Sequence, residues 1–171
     1  MIIMIAGASH AGKTALAQRL LERHGWPYLS LDHLKMGLIR SGYTNLTVKD
    51  DDELTALMWP IVREMIKTAV ENDQHMVIEG CYLPYDWRKD FEAEYLQQIR
   101  FVCLVMTERY IREHFADIRR YGSVVENRGD DPELDLEALV RDNAQALQAC
   151  REHGCEYILI DEEYCVELPE C

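Results

Sequence analysis

Apolar residues follow two different rhythms along this chain. Two unbroken apolar runs, Met1 to Ala6 and Phe101 to Met106, have the pattern of strands covered on both faces, as in a parallel sheet. Tyr28 to Leu31, His75 to Gly80 and Tyr157 to Ile160 are shorter runs of the same kind, which makes five predicted strands with the fourth spanning Ile99 to Met106. Between the strands the apolar spacing changes to three and four residues. Lys13 to His24 is rich in helix formers and stops at Gly25, with Pro27 just beyond. A second helix is predicted after Asp32-His33, ending near Ser41-Gly42. A third begins at Asp50-Asp51-Asp52-Glu53, where negative charge suits the positive end of a helix. Its inward stripe reads Leu54, Leu57, Met58, Ile61, Val62, Met65 and Ala69, and Pro60 predicts a kink. Helical material from Asp86 to Gln97, an amphipathic helix from Glu108 to Arg120 and a last long helix marked by Leu136, Leu139, Val140, Leu147 and Cys150 follow. Alternation of strand and helix predicts one α/β domain over residues 1–171, with three layers and a mostly parallel five-stranded sheet. Gly122 to Pro132 is polar and has no period.

Length and composition narrow the picture further. A chain of 171 residues suits one domain, and 48% hydrophobic with 29% charged residues is globular composition. The longest apolar runs hold six residues, against roughly 20 for a membrane-spanning helix. No signal-peptide pattern opens the chain, so the expected location is cytoplasmic and no membrane partner is foreseen. Eighteen basic against 31 acidic residues give a net charge of −13, which repels a nucleic-acid backbone. A small anion is still compatible with that sum, because a few Lys and Arg focused in one cleft suffice to hold it. Six cysteines without a CxxC pair read as reduced thiols rather than a zinc site or a disulfide framework, with Cys103 in the core.

One local motif carries chemistry. Gly7-Ala8-Ser9-His10-Ala11-Gly12-Lys13-Thr14 fits GxxxxGK[ST] at each fixed position, between a buried-type strand and an amphipathic helix. The glycines let the backbone wrap so that successive amides and the helix amino end face phosphate oxygens. Lys13 is placed to reach the β and γ phosphates, Thr14 offers a hydroxyl to Mg²⁺, and His10 reads as a lining residue. A GTPase would also show DxxG, and no glycine here has Asp three residues before it. Asn127-Arg128-Gly129-Asp130 mimics a guanine reader but has no strand in front of it.

With this loop, this length and this order of elements, the chain resembles the small P-loop kinases, a superfamily that includes adenylate, shikimate and gluconate kinases, chloramphenicol phosphotransferase and zeta-toxin-like kinases. The resemblance implies a P-loop α/β fold, ATP and Mg²⁺ as cofactors, and ATP-dependent phosphotransfer to a small hydroxyl-bearing metabolite. It assigns Asp32, after the second strand, to the acceptor side and Glu79, ending the third, to the metal side with Thr14. Arg119, Arg120 and Arg128 bracket the small mobile lid it implies over residues 121–132, with Lys13, Asp32 and Arg128 as catalytic groups and residues 7–14, Arg119 and Arg120 as the nucleotide site. At the carboxyl end of a parallel sheet, Asp32 is able to accept a hydroxyl proton or to cap the next helix, and the two roles are compatible. Glu79 is open to orienting metal-bound water, acting as the base, or facing solvent. Arg40, Arg88, His33 and Lys35 are further acceptor-side candidates, surface placement being the alternative for the two arginines. Adenylate kinases carry Asp-Gly-Phe-Pro-Arg where this chain has Glu79-Gly80-Cys81-Tyr82-Leu83-Pro84, which argues against AMP as acceptor. A nucleoside or nucleotide kinase and a nucleotide-binding regulatory protein stand as the alternatives. Oligomeric state is not indicated by the residues.

Overall fold

Six consecutive buried residues place β1 (Ile2–Gly7) in the middle of the sheet. The computed structural model describes residues 1–122 and 134–168. In chain order the elements after β1 are α1 (Lys13–His24), β2 (Tyr28–Ser30), α2 (Leu31–Arg40), α3 (Asp51–Glu71) and β3 (Met76–Glu79). A 3₁₀ turn (Trp87–Asp90) and α4 (Ala93–Leu96) lead to β4 (Ile99–Met106), α5 (Glu108–Tyr121), α6 (Leu136–His153) and β5 (Glu156–Ile160). The sheet order is β2-β3-β1-β4-β5, and all four pairings are parallel. The predicted three-layer α/β architecture is therefore the observed one, with a sheet that is wholly rather than mostly parallel.

Alternate residues of β1 feed two cores. Ile2, Met4 and Ala6 join Ile78, Phe101, Cys103 and Val105 under Leu54, Met58, Val62 and Ile66 of α3 and Ala146 and Cys150 of α6. Ile3 and Ile5 join Val77, Val102 and Leu104 under Leu16 and Ala17 of α1 and Tyr110, Ile111 and Ile118 of α5. Both faces are covered, which explains the near-continuous apolar strands. Because β1 lies between β3 and β4, the chain leaves it in one direction toward β2 and β3 and crosses to the other side at β4. That reversal opens a crevice at the carboxyl ends of β1 and β3, where open parallel sheets bind ligands.

Four local expectations change. Helix α3 runs through Pro60, which is exposed, as one helix. Its inward stripe takes Trp59 and Ile66, whereas Ile61 and Met65 lie partly exposed on the outer side. The irregularity sits in α5 instead, at His114 (φ −115°, ψ 17°). Strand β2 ends one residue early, at Ser30, and passes directly into α2, so Asp32 lies in the first turn while Ser30 holds the N-cap position. Cys81, Cys103, Cys150, Cys155 and Cys165 are free thiols, with Cys103 buried as expected. No helix among the described residues is long and apolar enough to cross a membrane.

Candidate active site

The loop between β1 and α1 is shaped by backbone that only some residues adopt. Gly7 (φ 138°), His10 (φ 61°) and Gly12 (φ 87°) all have positive φ, which turns the chain back on itself before Lys13 starts the helix. Gly7 also meets β4 too closely for a side chain: a Cβ there would lie 2.5 Å from the Leu104 carbonyl oxygen. Lys13 is 7% exposed, and its Nζ donates to the Ala8 carbonyl at 2.8 Å, so the ammonium rests inside the ring of its own loop. Thr14, one residue into α1, donates from Oγ1 to Glu79 Oε1 at 3.2 Å.

This contact brings together the two groups expected to hold a metal. Glu79 ends β3 and is 1% exposed, so the solvent-facing alternative is excluded. A hydroxyl and one carboxylate are hard oxygen donors, and the described residues contain no cluster of three or more His, Cys, Asp or Glu able to hold a metal by themselves. That donor set fits Mg²⁺, which takes few protein ligands and keeps water and phosphate oxygens in its shell.

Asp32 lies in the first turn of α2, and it does not stand alone. Lys35 Nζ lies 2.5 Å from Asp32 Oδ1 and 3.0 Å from the Tyr82 hydroxyl, and Tyr82 donates in turn to Asp51 Oδ1 at 3.0 Å. The chain Asp32–Lys35–Tyr82–Asp51 ties α2 to the loop after β3 and to the start of α3. Burial opposes the charge on Lys35, but hydrogen bonds to Asp32 and Tyr82 outweigh it and hold the ammonium above its ordinary range. Burial pushes the Tyr82 phenol up to about 12 despite the lowering effect of Lys35, so it is a neutral donor at physiological pH. The sequence named Lys35 as an acceptor-side candidate and missed Tyr82 and Asp51. Tyr82 lies three residues past Glu79, which was the available signal. Asp51 had already been accounted for by the helix dipole.

A second cavity, about 400 Å³, opens on the other side of the phosphate loop and is lined by rings, among them His10, Tyr110, His114, Tyr121 and Tyr164. The Tyr164 hydroxyl donates to the Ala11 carbonyl at 3.3 Å, and a Cβ on Gly12 would fall 1.7 Å from that hydroxyl. His10 lines the cavity, as expected, with its ring against the end of α5: a Cβ on Gly122 would approach His10 Cδ2 to 2.5 Å. Arg119 and Arg120 occupy that same helix end and are exposed, Arg120 lying over the Tyr121 ring at 5.6 Å. The aromatic lining was not foreseen, because its residues are scattered from position 10 to position 164.

Other candidates fall elsewhere. Arg88 stacks on Trp87 and donates to the His153 carbonyl at 3.3 Å, beside the amino end of β5. His33 is exposed on α2, and Arg40 is exposed at its far end. Arg128, residues 123–132 of the lid expected over 121–132 and the Asn127–Asp130 tetrapeptide lie outside the described residues.

Fold and site together define a P-loop protein: a phosphate-binding turn at the end of the central strand, an acid on the neighbouring strand and a parallel sheet behind them. The model of the AAA domain family matches residues 2–123, and the chain belongs to that family. Among solved structures it is similar to deoxyadenosine kinase from M. mycoides with bound dATP, at 13% identity over 97% of this chain and 93% of that one, with a TM-score of 0.56. It is also similar to a gluconokinase from Sinorhizobium meliloti 1021 (16% identity, 93% and 81% covered, TM-score 0.50). Shikimate kinase from Bacteroides thetaiotaomicron is a third (16% identity, 94% and 86% covered, TM-score 0.50). At these identities the likeness establishes the fold, that of the small P-loop kinases. No curated protein sequence matches the chain.

Proposed function

We propose that this protein is an ATP-dependent kinase that transfers the γ-phosphoryl group to a hydroxyl of a small metabolite. The observation that carries the reading is the convergence, at one end of the sheet, of a phosphate loop with Lys13 inside it, the Thr14–Glu79 contact and the Asp32–Lys35 pair. The kinases named above lend it their fold.

In this reading the amides of residues 7–14 and the amino end of α1 hold the β and γ phosphates, and Lys13 leaves the Ala8 carbonyl to join them. Thr14 and Glu79 are the residues that would hold Mg²⁺, which when bound neutralises charge on the transferring group. Asp32 accepts the proton of the acceptor hydroxyl as its oxygen bonds to the γ phosphorus. The bond to the β–γ bridging oxygen breaks, and ADP leaves. Lys35 fixes the Asp32 carboxylate in place. The ring-lined cavity suits the nucleotide base, since a purine stacks on aromatic faces. Arg119 and Arg120, at the end of α5, and Arg128, within the lid proposed for residues 121–132 of the single domain, are the countercharges to the phosphates in this reading. Unpaired thiols are consistent with a cytoplasmic setting.

A nucleoside acceptor is the second reading, and the deoxyadenosine kinase similarity favours it. A thermal-shift screen with ATP, GTP, nucleosides and hydroxylated metabolites, followed by ADP release with each hit, tests both. A shift with ATP and ADP release with one acceptor is the expected result. The absence of any nucleotide shift would remove the kinase reading.

A further inference from the structure

Ser30 closes β2 and occupies the N-cap position of α2 with extended backbone, φ −82° and ψ 125°. A serine at such a position ordinarily turns its hydroxyl onto an amide of the first helical turn. This one makes no capping hydrogen bond. The residue is 2% exposed, and its Oγ is buried with no hydrogen-bond partner among the described residues. An unpaired buried hydroxyl is a standing cost to the fold, so it points to a partner that arrives from outside the chain.

Strand register shows where that partner sits. Ser30 pairs with Glu79, and Glu79 pairs with Ile5. Residues in register on neighbouring parallel strands project to the same face, the strands being about 4.8 Å apart. Here it is the α1 face: Ile5, Val77 and Tyr28 share a core with Leu16 and Ala17, and Thr14 of α1 reaches Glu79. Thr14, Glu79 and Ser30 thus form a row of oxygen-bearing side chains running from the phosphate loop toward Asp32, two residues past Ser30. A hydroxyl both donates and accepts, which is what a water molecule held between fixed groups requires.

We propose that Ser30 is a positioning residue of the phosphoryl-transfer site: beside Glu79, it seats a water molecule in the coordination shell of the divalent cation that accompanies the nucleotide. The proposal rests on the kinase reading and adds to it a residue that neither the motif nor the acid positions supply. It also accounts for a cap residue that does not cap. The hydroxyl is kept for the bound state, at the expense of the ligand-free one.

The test compares the full-length protein with Ser30→Ala. The first readout is the melting temperature without ligand. Ser30→Ala is expected to melt at or above the wild type, because it removes an unpaired buried polar atom. A drop of about 2–4 °C would assign Ser30 to helix capping and overturn the proposal. The second readout is the melting shift given by a non-hydrolysable ATP analogue as MgCl₂ is titrated. The metal-free shift should be unchanged in the variant, while half-saturation should require about tenfold more Mg²⁺, equivalent to losing one hydrogen bond to a charged group's shell. An unaltered Mg²⁺ dependence, with the wild-type shift intact, overturns the role of Ser30 and leaves the kinase reading standing. No shift in the wild type with or without Mg²⁺ overturns both.

Discussion

The two sides of the crevice are built from different materials. On the side proposed for the donor, eight consecutive residues fold backbone into a phosphate loop, and the proposal asks for few side chains there: Lys13, Thr14 and the glycines that permit the turn. On the side proposed for the acceptor the backbone does little, and the surface is a chain of side chains drawn from α2, α3 and the loop after β3. Binding a phosphate chain common to all nucleotides needs only amides at fixed spacing. Binding one metabolite among many needs shape and polarity placed by side chains, which sequence drift alters freely. If the proposed kinase reading holds, the donor is a property of the fold and the acceptor a property of this chain.

The largest test of the contrast is Lys13→Ala, which should lower turnover about 10²–10³-fold with either the best or a poor acceptor, because it acts on the group both share. Full activity in that variant would falsify the donor half of the scheme. Asp32→Asn should lower transfer about 10²-fold with ATP affinity within about twofold of wild type, separating the sides by their kcat and nucleotide Kd. Gly12→Ala attacks the cradle through backbone alone. The positive φ costs a side chain about 1–2 kcal/mol, and Tyr164 must move aside, so ATP affinity should fall about tenfold while a competing acceptor analogue still binds. Tyr82→Phe removes both hydrogen bonds of its hydroxyl and should raise the acceptor KM severalfold with kcat nearly constant; an effect on ATP binding alone would place Tyr82 on the wrong side. The smallest effect is in pH. With the Tyr82 phenol raised from 10.0 to about 12 in the folded protein, its contribution to stability is whole below pH 10 and disappears between about 10 and 12. Denaturant midpoints measured across that window should fall less steeply in Tyr82→Phe than in the wild type.

The same contrast explains what could be read in advance. Strand order aside, the α/β class followed from two apolar rhythms, and the cradle from a contiguous motif whose flanking elements were also legible. Glu79 and Asp32 were reachable because each ends a strand or follows one closely. Tyr82, Asp51 and the ring-lined cavity were not, since their meeting depends on how α3 and the segment after β5 return to the crevice. The α3 stripe slipped because Trp59 turns inward to donate to Asp90 at 2.8 Å. Ser30 escaped notice for the opposite reason. It satisfies the expectation for a cap in every respect except the hydrogen bond.

Tyr164 brings the far end of the sequence to bear on the phosphate loop. Its hydroxyl reaches the Ala11 carbonyl, and two residues later Arg19 Nη2 of α1 grips the Val166 carbonyl at 2.6 Å, so residues 161–168 are buckled to the element that cradles phosphate. The amino end of β1 is anchored at the opposite pole, where the Met1 amine lies 3.2 Å from His75 Nδ1. A label, a fused domain or a proteolytic cut after Ile160 therefore pulls on the nucleotide cradle itself, whereas the same intervention at Met1 acts on the sheet's distant rim.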